Sequence, residues 1–354
     1  MKFVDLEFEN KLAAENSTRS FSVIETSAKY LLGDFLSKFE DQFSVDQNVK
    51  HSICVKNATD ALYMTFKILN SENRTVIVPN FGAYPTVIAA IQSGAKKIIA
   101  APVDESLTID LSNVEVPMNS IIVHVHLFGI HANMKQIEEI ASATDSLIIE
   151  DCAQSTGLPK SKKSIAAIHS FYPTKPLGCR GDGGSILTDN DELERKLRKA
   201  RFYGINNAGV IDSWGFNSRM DEWQSAFLLQ KLLYYKSNNV MRQKNAAELM
   251  KVFNAGITFG NDCVFHQFVS LWSDREQAIS ELNNQSIPTM VHYPKMLHDM
   301  LHLQDKVTFT IKQKISDHIL SFPVGPHLLE NDIAKIQEAI LSIKKNAIRF
   351  EEIS

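Results

Sequence analysis

An amine that loses its proton attacks carbonyl carbon, and one stretch of this sequence is built to aim such an amine. Residues 170–184 read SFYPTKPLGCRGDGG: Lys175 follows an apolar run, stands between Pro173 and Pro176, and is followed by Gly178, Gly181, Gly183 and Gly184. Proline stiffens the backbone around the lysine and glycine frees it downstream, an arrangement that points a side chain. A partly buried lysine of lowered pKa forms Schiff bases at neutral pH. A surface lysine in a glycine-rich turn would read the same way, so the segment does not decide alone.

Two further groups suit the same chemistry. In IIEDCAQS, Glu150 and Asp151 end an apolar run. Successive strand residues face opposite ways, so one acid enters a site, and Asp151 is the better placed. A buried carboxylate calls for a cation; the pyridinium nitrogen of pyridoxal phosphate is one, and an aspartate that keeps it protonated strengthens the ring as an electron sink. Capping of a following helix is the plainer role for Asp151. In KNATDALYMTFKIL, Thr59 and Asp60 stand where a helix begins, and the free amides and dipole of a helix start attract phosphate. Ser170 could add a hydroxyl to that phosphate. Simple capping by Thr59 is the alternative.

These residues need a scaffold, and the pattern around them supplies one. Short β-branched runs at 76–79, 97–103, 120–126, 146–151, 168–172 and 184–188 alternate with helical patterns such as TDALYMTFKIL, TVIAAIQSG and MKQIEEIASAT. The fold class is α/β, a mostly parallel layered sheet with each strand followed by its helix, and ligands of such sheets gather at the carboxyl ends of the strands. Beyond Asp221 long helical stretches take over, then the strand HQFVSLW, a helix from Asp274 and the amphipathic DIAKIQEAILSIKKN. The predicted domains are 1–235 and 236–354.

Composition narrows the class without naming a ligand. The chain has 354 residues, 44% apolar and 22% charged, with net charge −4, which offers no basic footprint for nucleic acid or an anionic membrane. Cys54, Cys152, Cys179 and Cys263 lack C-x-x-C spacing and read as reduced thiols. With no secretory pattern in MKFVDLEFENKL and no apolar run of about 18 residues, the expected location is the cytoplasm.

The ordered blocks NATDAL, VPNFGAYPT, VHLFG, IIEDCAQS, SFYPTKPLG with GDGG, NSRMDEWQSA, HYP and SFPVGPHL resemble the DegT/StrS family of nucleotide-sugar aminotransferases over nearly the whole chain. The resemblance implies a fold type I aminotransferase that uses pyridoxal 5'-phosphate, with a large domain on a mixed, mostly parallel sheet and a smaller C-terminal α+β domain. It also implies a homodimer whose active sites lie at the subunit interface. By the same resemblance Lys175 is the lysine joined to the cofactor, Asp151 the pyridinium partner and Gln154 a neighbour of the phenolic oxygen. Thr59, Asp60 and Ser170 cradle the phosphate, helped by Asn217 from the other subunit, and Arg219, His292 and Tyr293 line the nucleotide-sugar side. The implied reaction takes an amino group from L-glutamate to a nucleotide-linked keto sugar, closest to a dTDP-linked 3-keto or 4-keto 6-deoxyhexose, to make an amino sugar for surface polysaccharide or glycoconjugate.

The sequence departs from that family in places. Ala83 stands where members often stack an aromatic on the ring, so Tyr84 or Phe81 is expected to do so. Ala58 replaces a usual glycine of the phosphate turn, Gly157–His169 is short, and Pro176 replaces a frequent asparagine in a pattern closer to members that aminate C3. Rival readings are a dehydratase, in which histidine replaces the lysine, and a non-catalytic regulator on the same scaffold. His124, His126 and His131 lack the spacing of a metal site, and neither a dinucleotide fingerprint nor a P-loop is present.

Overall fold

The computed structural model describes residues 1–353 except 132, 133, 253 and 261. Helices α1 (Leu6–Ser27) and α2 (Asp34–Asp46) precede strand β1 (His51–Val55). Then follow α3 (Ala58–Ile68), β2 (Thr75–Pro79), α4 (Pro85–Gln92), β3 (Lys97–Ala101), β4 (Ile121–Val125), α5 (Lys135–Ala143), β5 (Leu147–Asp151), β6 (Ala166–Ser170), β7 (Gly184–Thr188) and α6 (Asp191–Ala200). The remainder contains α7 (Glu222–Lys231), α8 (Tyr235–Met250), β8 (Phe268–Leu271), α9 (Arg275–Asn284), β9 (Thr308–Phe309), β10 (Ile319–Phe322) and a last long helix, Glu330–Ile343.

Eight strands form one sheet in the order β1-β7-β6-β5-β4-β2-β3-β9. Every neighbouring pair from β6 through β9 in that order is parallel, and β7 alone runs against its neighbours β6 and β1. The β-branched runs are buried along nearly their whole length, as expected for a sheet covered on both faces. The expectation of a helix after every strand holds for β1, β2, β4 and β7 but not for β3, β5 and β6, which run into long loops. At β6 the reason is direction: β7 returns antiparallel, so no crossover helix is required, and the connecting loop is free to carry Lys175.

Long-range contacts tie the N-terminus to this sheet. The buried Glu222 carboxylate accepts the amides of Gly33 (2.9 Å), Phe35 (2.9 Å) and Leu36 (3.1 Å), so one acid at the start of α7 caps α2. On the C-terminal side β8 and β10 pair antiparallel, while β9 adds to the edge of the main sheet beside β3. One continuous apolar cluster joins Ile149 and Ile168 of the main sheet to Phe268, Trp272, Phe322 and Ile336. We propose 1–235 and 236–354 as two units sharing this core, with the boundary where α7 gives way to α8.

Candidate active site

The carboxyl ends of β5 and β6 and the start of α3 converge on a cavity of about 280 Å³. Lys175 and Asp151 both line it, with Thr59, Gln154 and Ser170. The lysine loop is pinned at its base: the Phe171 amide donates to the Gly183 carbonyl (2.8 Å), the Cys179 amide to the Phe171 carbonyl (2.7 Å), and the Lys175 amide to the Tyr172 carbonyl (2.9 Å). Gly178 is required where the loop closes, since a Cβ there would stand 2.3 Å from the Pro173 carbonyl oxygen. Burial pulls the Lys175 amine down to about 8, against the opposing pull of the Asp151 charge.

Asp151 is 6% exposed, and both carboxylate oxygens are held. Thr86 Oγ1 donates to Oδ2 (2.9 Å) and the Ala153 amide to Oδ1 (3.1 Å). Burial raises its pKa, opposed by the Thr86 and Ala153 hydrogen bonds and by the Lys175 and His126 charges. Thr86 was not foreseen as a site residue. Its only signal is position, one residue after the proline that opens α4 behind a sheet strand.

At the other end the capping residue of α3 is Asn57 and not Thr59: Asn57 Oδ1 accepts the Asp60 amide (2.8 Å) and the Asn57 carbonyl accepts the Ala61 amide (3.1 Å). This leaves Ala58 and Thr59, both on the cavity wall, with amides that the cap does not use. Asp60 does not line the cavity; its carboxylate accepts the Ser218 hydroxyl at 2.7 Å. Gly184 lets β7 lie against this helix start, because a Cβ there would be 2.6 Å from the Ala58 amide nitrogen.

Gln154 is fixed at both ends of its amide. Its Oε1 accepts the Phe128 backbone amide (2.6 Å) and its Nε2 donates to the Tyr293 hydroxyl (2.9 Å). Tyr293 therefore reaches the cavity through Gln154. Tyr84 and Phe81 do not line the cavity; their rings pack toward Tyr293, at 5.9 and 6.2 Å between centroids, while Ala83 and Pro85 form the wall. Tyr84 leads straight into α4 at Pro85, and its ring lies beside Tyr293. Among the described lining residues the one aromatic is Tyr172.

His292 lies in an adjoining cavity that shares Tyr172 and includes Thr174. Its Nδ1 is 2.9 Å from Ser321 Oγ, and burial together with the Lys175 charge lowers it to about 4. Asn217 and Arg219 sit apart, in a third cavity with Lys56 that shares Asp182 with the first. Arg219 Nε donates to Asn217 Oδ1 (2.9 Å), and its guanidinium lies 4.9 Å from the Phe202 ring centre. Of the histidines weighed for metal, His124 and His126 pack ring to ring at 4.7 Å, and His126 Nε2 is 2.8 Å from Glu150 Oε2.

The main cavity fits pyridoxal phosphate on this chain's own terms. A helix start presents amides outside its cap, a glycine keeps that start uncrowded, and an amine of lowered pKa and a buried carboxylate share one small space. A lysine-bearing loop and an acid at the carboxyl ends of a mixed, mostly parallel sheet define a pyridoxal-phosphate-dependent aminotransferase of fold type I. The chain belongs to the DegT/DnrJ/EryC1/StrS aminotransferase family, whose model matches residues 12–341. It is 31% identical to the UDP-2-acetamido-2-deoxy-3-oxo-D-glucuronate aminotransferase of Pseudomonas aeruginosa, over 93% of this chain and 96% of that one. It is 30% identical to the dTDP-3-amino-3,4,6-trideoxy-alpha-D-glucose transaminase of Streptomyces venezuelae, over 96% and 94%. The crystal structure of S. venezuelae DesV in complex with a ketimine intermediate is similar with TM-score 0.90 and 28% identity, covering 96% of this chain and 97% of that one.

Proposed function

We propose that this aminotransferase moves the amino group of L-glutamate to a keto sugar carried on a nucleoside diphosphate, releasing 2-oxoglutarate and an amino sugar destined for surface polysaccharide or glycoconjugate. The observation that carries the reading is Lys175 facing a cavity that Asp151 also lines, in a chain similar to both a UDP-sugar and a dTDP-sugar aminotransferase. A dTDP-linked 3-keto or 4-keto 6-deoxyhexose is the proposed acceptor.

When bound, pyridoxal phosphate supplies an electron sink for the carbon that loses its proton. Lys175 Nζ takes the proton from the donor's α carbon and returns one in the second half-reaction, a task suited to an amine whose pKa lies near working pH. Asp151, already steadied by Thr86 and Ala153, would hold the ring nitrogen of the bound cofactor. Ala58, Thr59 and Ser170 would hold the phosphate, Gln154 the phenolic side, and His292 and Tyr293 the sugar side. Asn217 would serve the site of a second copy in a homodimer, in keeping with its place in a separate cavity of its own chain, and Arg219 beside it would line the nucleotide-sugar side. Asp60 acts through Ser218 rather than on the phosphate itself. The proposed location is the cytoplasm; among the described residues no helix is long and apolar enough to cross a membrane.

The dehydratase reading loses ground to Lys175, which stands where that chemistry uses histidine. The test is optical. Purified protein loaded with pyridoxal phosphate should shift its visible absorbance on adding L-glutamate, and the shift should reverse with one member of a panel of 3-keto and 4-keto dTDP, UDP and GDP sugars. A loaded protein that ignores every amino acid offered would refute transamination.

A further inference from the structure

Gln154 follows the end of β5 and is 4% exposed on the wall of the main cavity. What its amide meets decides which way it points. The Phe128 backbone nitrogen can only donate, so the Gln154 atom 2.6 Å from it is the oxygen, Oε1. The nitrogen, Nε2, is thereby turned to the Tyr293 hydroxyl at 2.9 Å, and Tyr293 accepts. An amide nitrogen carries two protons. One goes to Tyr293; among the described residues no second acceptor meets Nε2, which leaves the other proton for the cavity that Gln154 lines.

Both holders of this amide are themselves fixed. Phe128 lies in the left-handed region at φ 58°, inside a turn closed by the Gly129 amide on the His126 carbonyl (3.2 Å) and the Ile130 amide on the Leu127 carbonyl (3.0 Å). Gly129 packs on the Gln154 backbone, where a Cβ would stand 2.9 Å from the Gln154 carbonyl oxygen. On the other side the Tyr293 ring is surrounded by those of Phe81, Tyr84, Phe128 and His292, at 5.9 to 6.4 Å between ring centres. Burial pushes the Tyr293 hydroxyl up to about 12, so it stays neutral.

We propose that Tyr293 is a positioning residue: by taking one proton of the Gln154 amide it aims the second N–H at the phenolic oxygen of the bound cofactor, so that a side chain from beyond β8 tunes the cofactor through Gln154.

The inference rests on Gln154 standing at the phenolic side, as in the proposed function. A donor there draws charge from the oxygen that also holds the proton of the Lys175 Schiff base, and that proton then leaves at lower pH. Losing the donor, or its aim, raises the pH at which it leaves. The other titratable groups near the pair are Lys175, Asp151 and Asp182 on the same cavity wall, with Tyr84 and His292 against the Tyr293 ring. None of them is altered in the variants that test the idea, so they form a constant background.

The test is a double-mutant cycle read by absorbance. Wild-type protein, Tyr293→Phe, Gln154→Leu and the double variant are loaded with pyridoxal phosphate, and the pH midpoint of the visible band and the cofactor dissociation constant are measured. Gln154→Leu should raise the midpoint by about one pH unit, the worth of one hydrogen bond to a charged oxygen. Tyr293→Phe should raise it by about half a unit in the wild-type background and by nothing further in Gln154→Leu protein. A Tyr293→Phe shift that persists undiminished without Gln154 overturns the proposal, because the hydroxyl then acts on its own. If Gln154→Leu does not fold for want of an acceptor for the Phe128 amide, Gln154→Glu keeps that acceptor and puts an oxygen in place of the nitrogen. It should raise the midpoint and weaken cofactor binding about tenfold, and a wild-type midpoint and affinity in that variant would overturn the proposal. When no Gln154 variant moves the midpoint, the assignment of Gln154 to the phenolic side fails and the proposal with it; when they move it and Tyr293→Phe does not, only the role of Tyr293 fails.

Discussion

Burial sets the pH at which Lys175 becomes reactive. With its amine lowered to about 8, roughly a tenth of the cofactor-free protein carries a neutral amine at pH 7, against a few parts in ten thousand for an ordinary lysine. Capture of pyridoxal phosphate by the cofactor-free protein should therefore speed up about tenfold per pH unit below 8 and level off near 8. A plateau reached only above pH 10 would show that the site does not depress the amine. Lys175→Ala should lose covalent capture and turnover while its melting curve stays close to wild type; wild-type turnover in that variant would discard the mechanism. Lys175 and Asp151 were legible because proline, glycine and an apolar strand announce a fixed side chain, and because a charged residue ending a buried strand needs a reason. Thr86 was not, since a neutral hydroxyl at a helix start looks like any other until the Asp151 carboxylate is placed against it. For a related reason the sequence shows that Tyr84 adjoins the site, while only packing shows that its ring lies beside Tyr293.

At the scale of elements, the phosphate end depends on how closely β7 approaches α3. Gly184 pairs with both Val55 and Ser170, and a Cβ there would lie 2.5 Å from the Asn57 carbonyl carbon and 2.6 Å from the Ala58 amide nitrogen. These are backbone atoms that cannot swing aside, so Gly184→Ala must push the start of α3 away from the cavity. The variant should fold with reduced stability and bind pyridoxal phosphate at least tenfold more weakly, read by fluorescence titration; unchanged affinity would mean that the amides of Ala58 and Thr59 do not hold the phosphate. The strands β2 to β7 were readable as β-branched runs because burial on both faces leaves little room for polar residues. Helix α1 was not read, because its buried positions are Glu9, Ala13, Ser17 and Ile24 while Phe8, Leu12 and Val23 face outward, which hides the apolar stripe. Strand β9 has two residues and β10 four, too short for alternation to register.

At the scale of the whole molecule, the residues assigned to one function are divided among three cavities. Lys175 opens on the main cavity, whereas Asn217 and Arg219 open on another bounded by Leu31, with Asp182 between them. That cavity is lined mostly by charged and polar residues, but Leu31 on its wall is 43% exposed and the neighbouring Leu32 37%, and elsewhere on the surface Val210, Ile211 and Trp214 are exposed too. Exposed apolar surface of this kind suits the proposed homodimer, in which Asn217 of one copy would serve the cofactor of the other. The proposal yields a mixing experiment. Lys175→Ala and Asn217→Ala proteins, each inactive or nearly so alone, are unfolded together and refolded at equal concentration. In a mixed dimer one site collects both lesions and the other collects neither, so random pairing should restore about a quarter of wild-type sites, seen as turnover and as covalently captured cofactor. If Asn217 instead serves its own chain, every site keeps a lesion and mixing restores nothing, while a sedimentation profile at the mass of a single chain would remove the dimer altogether.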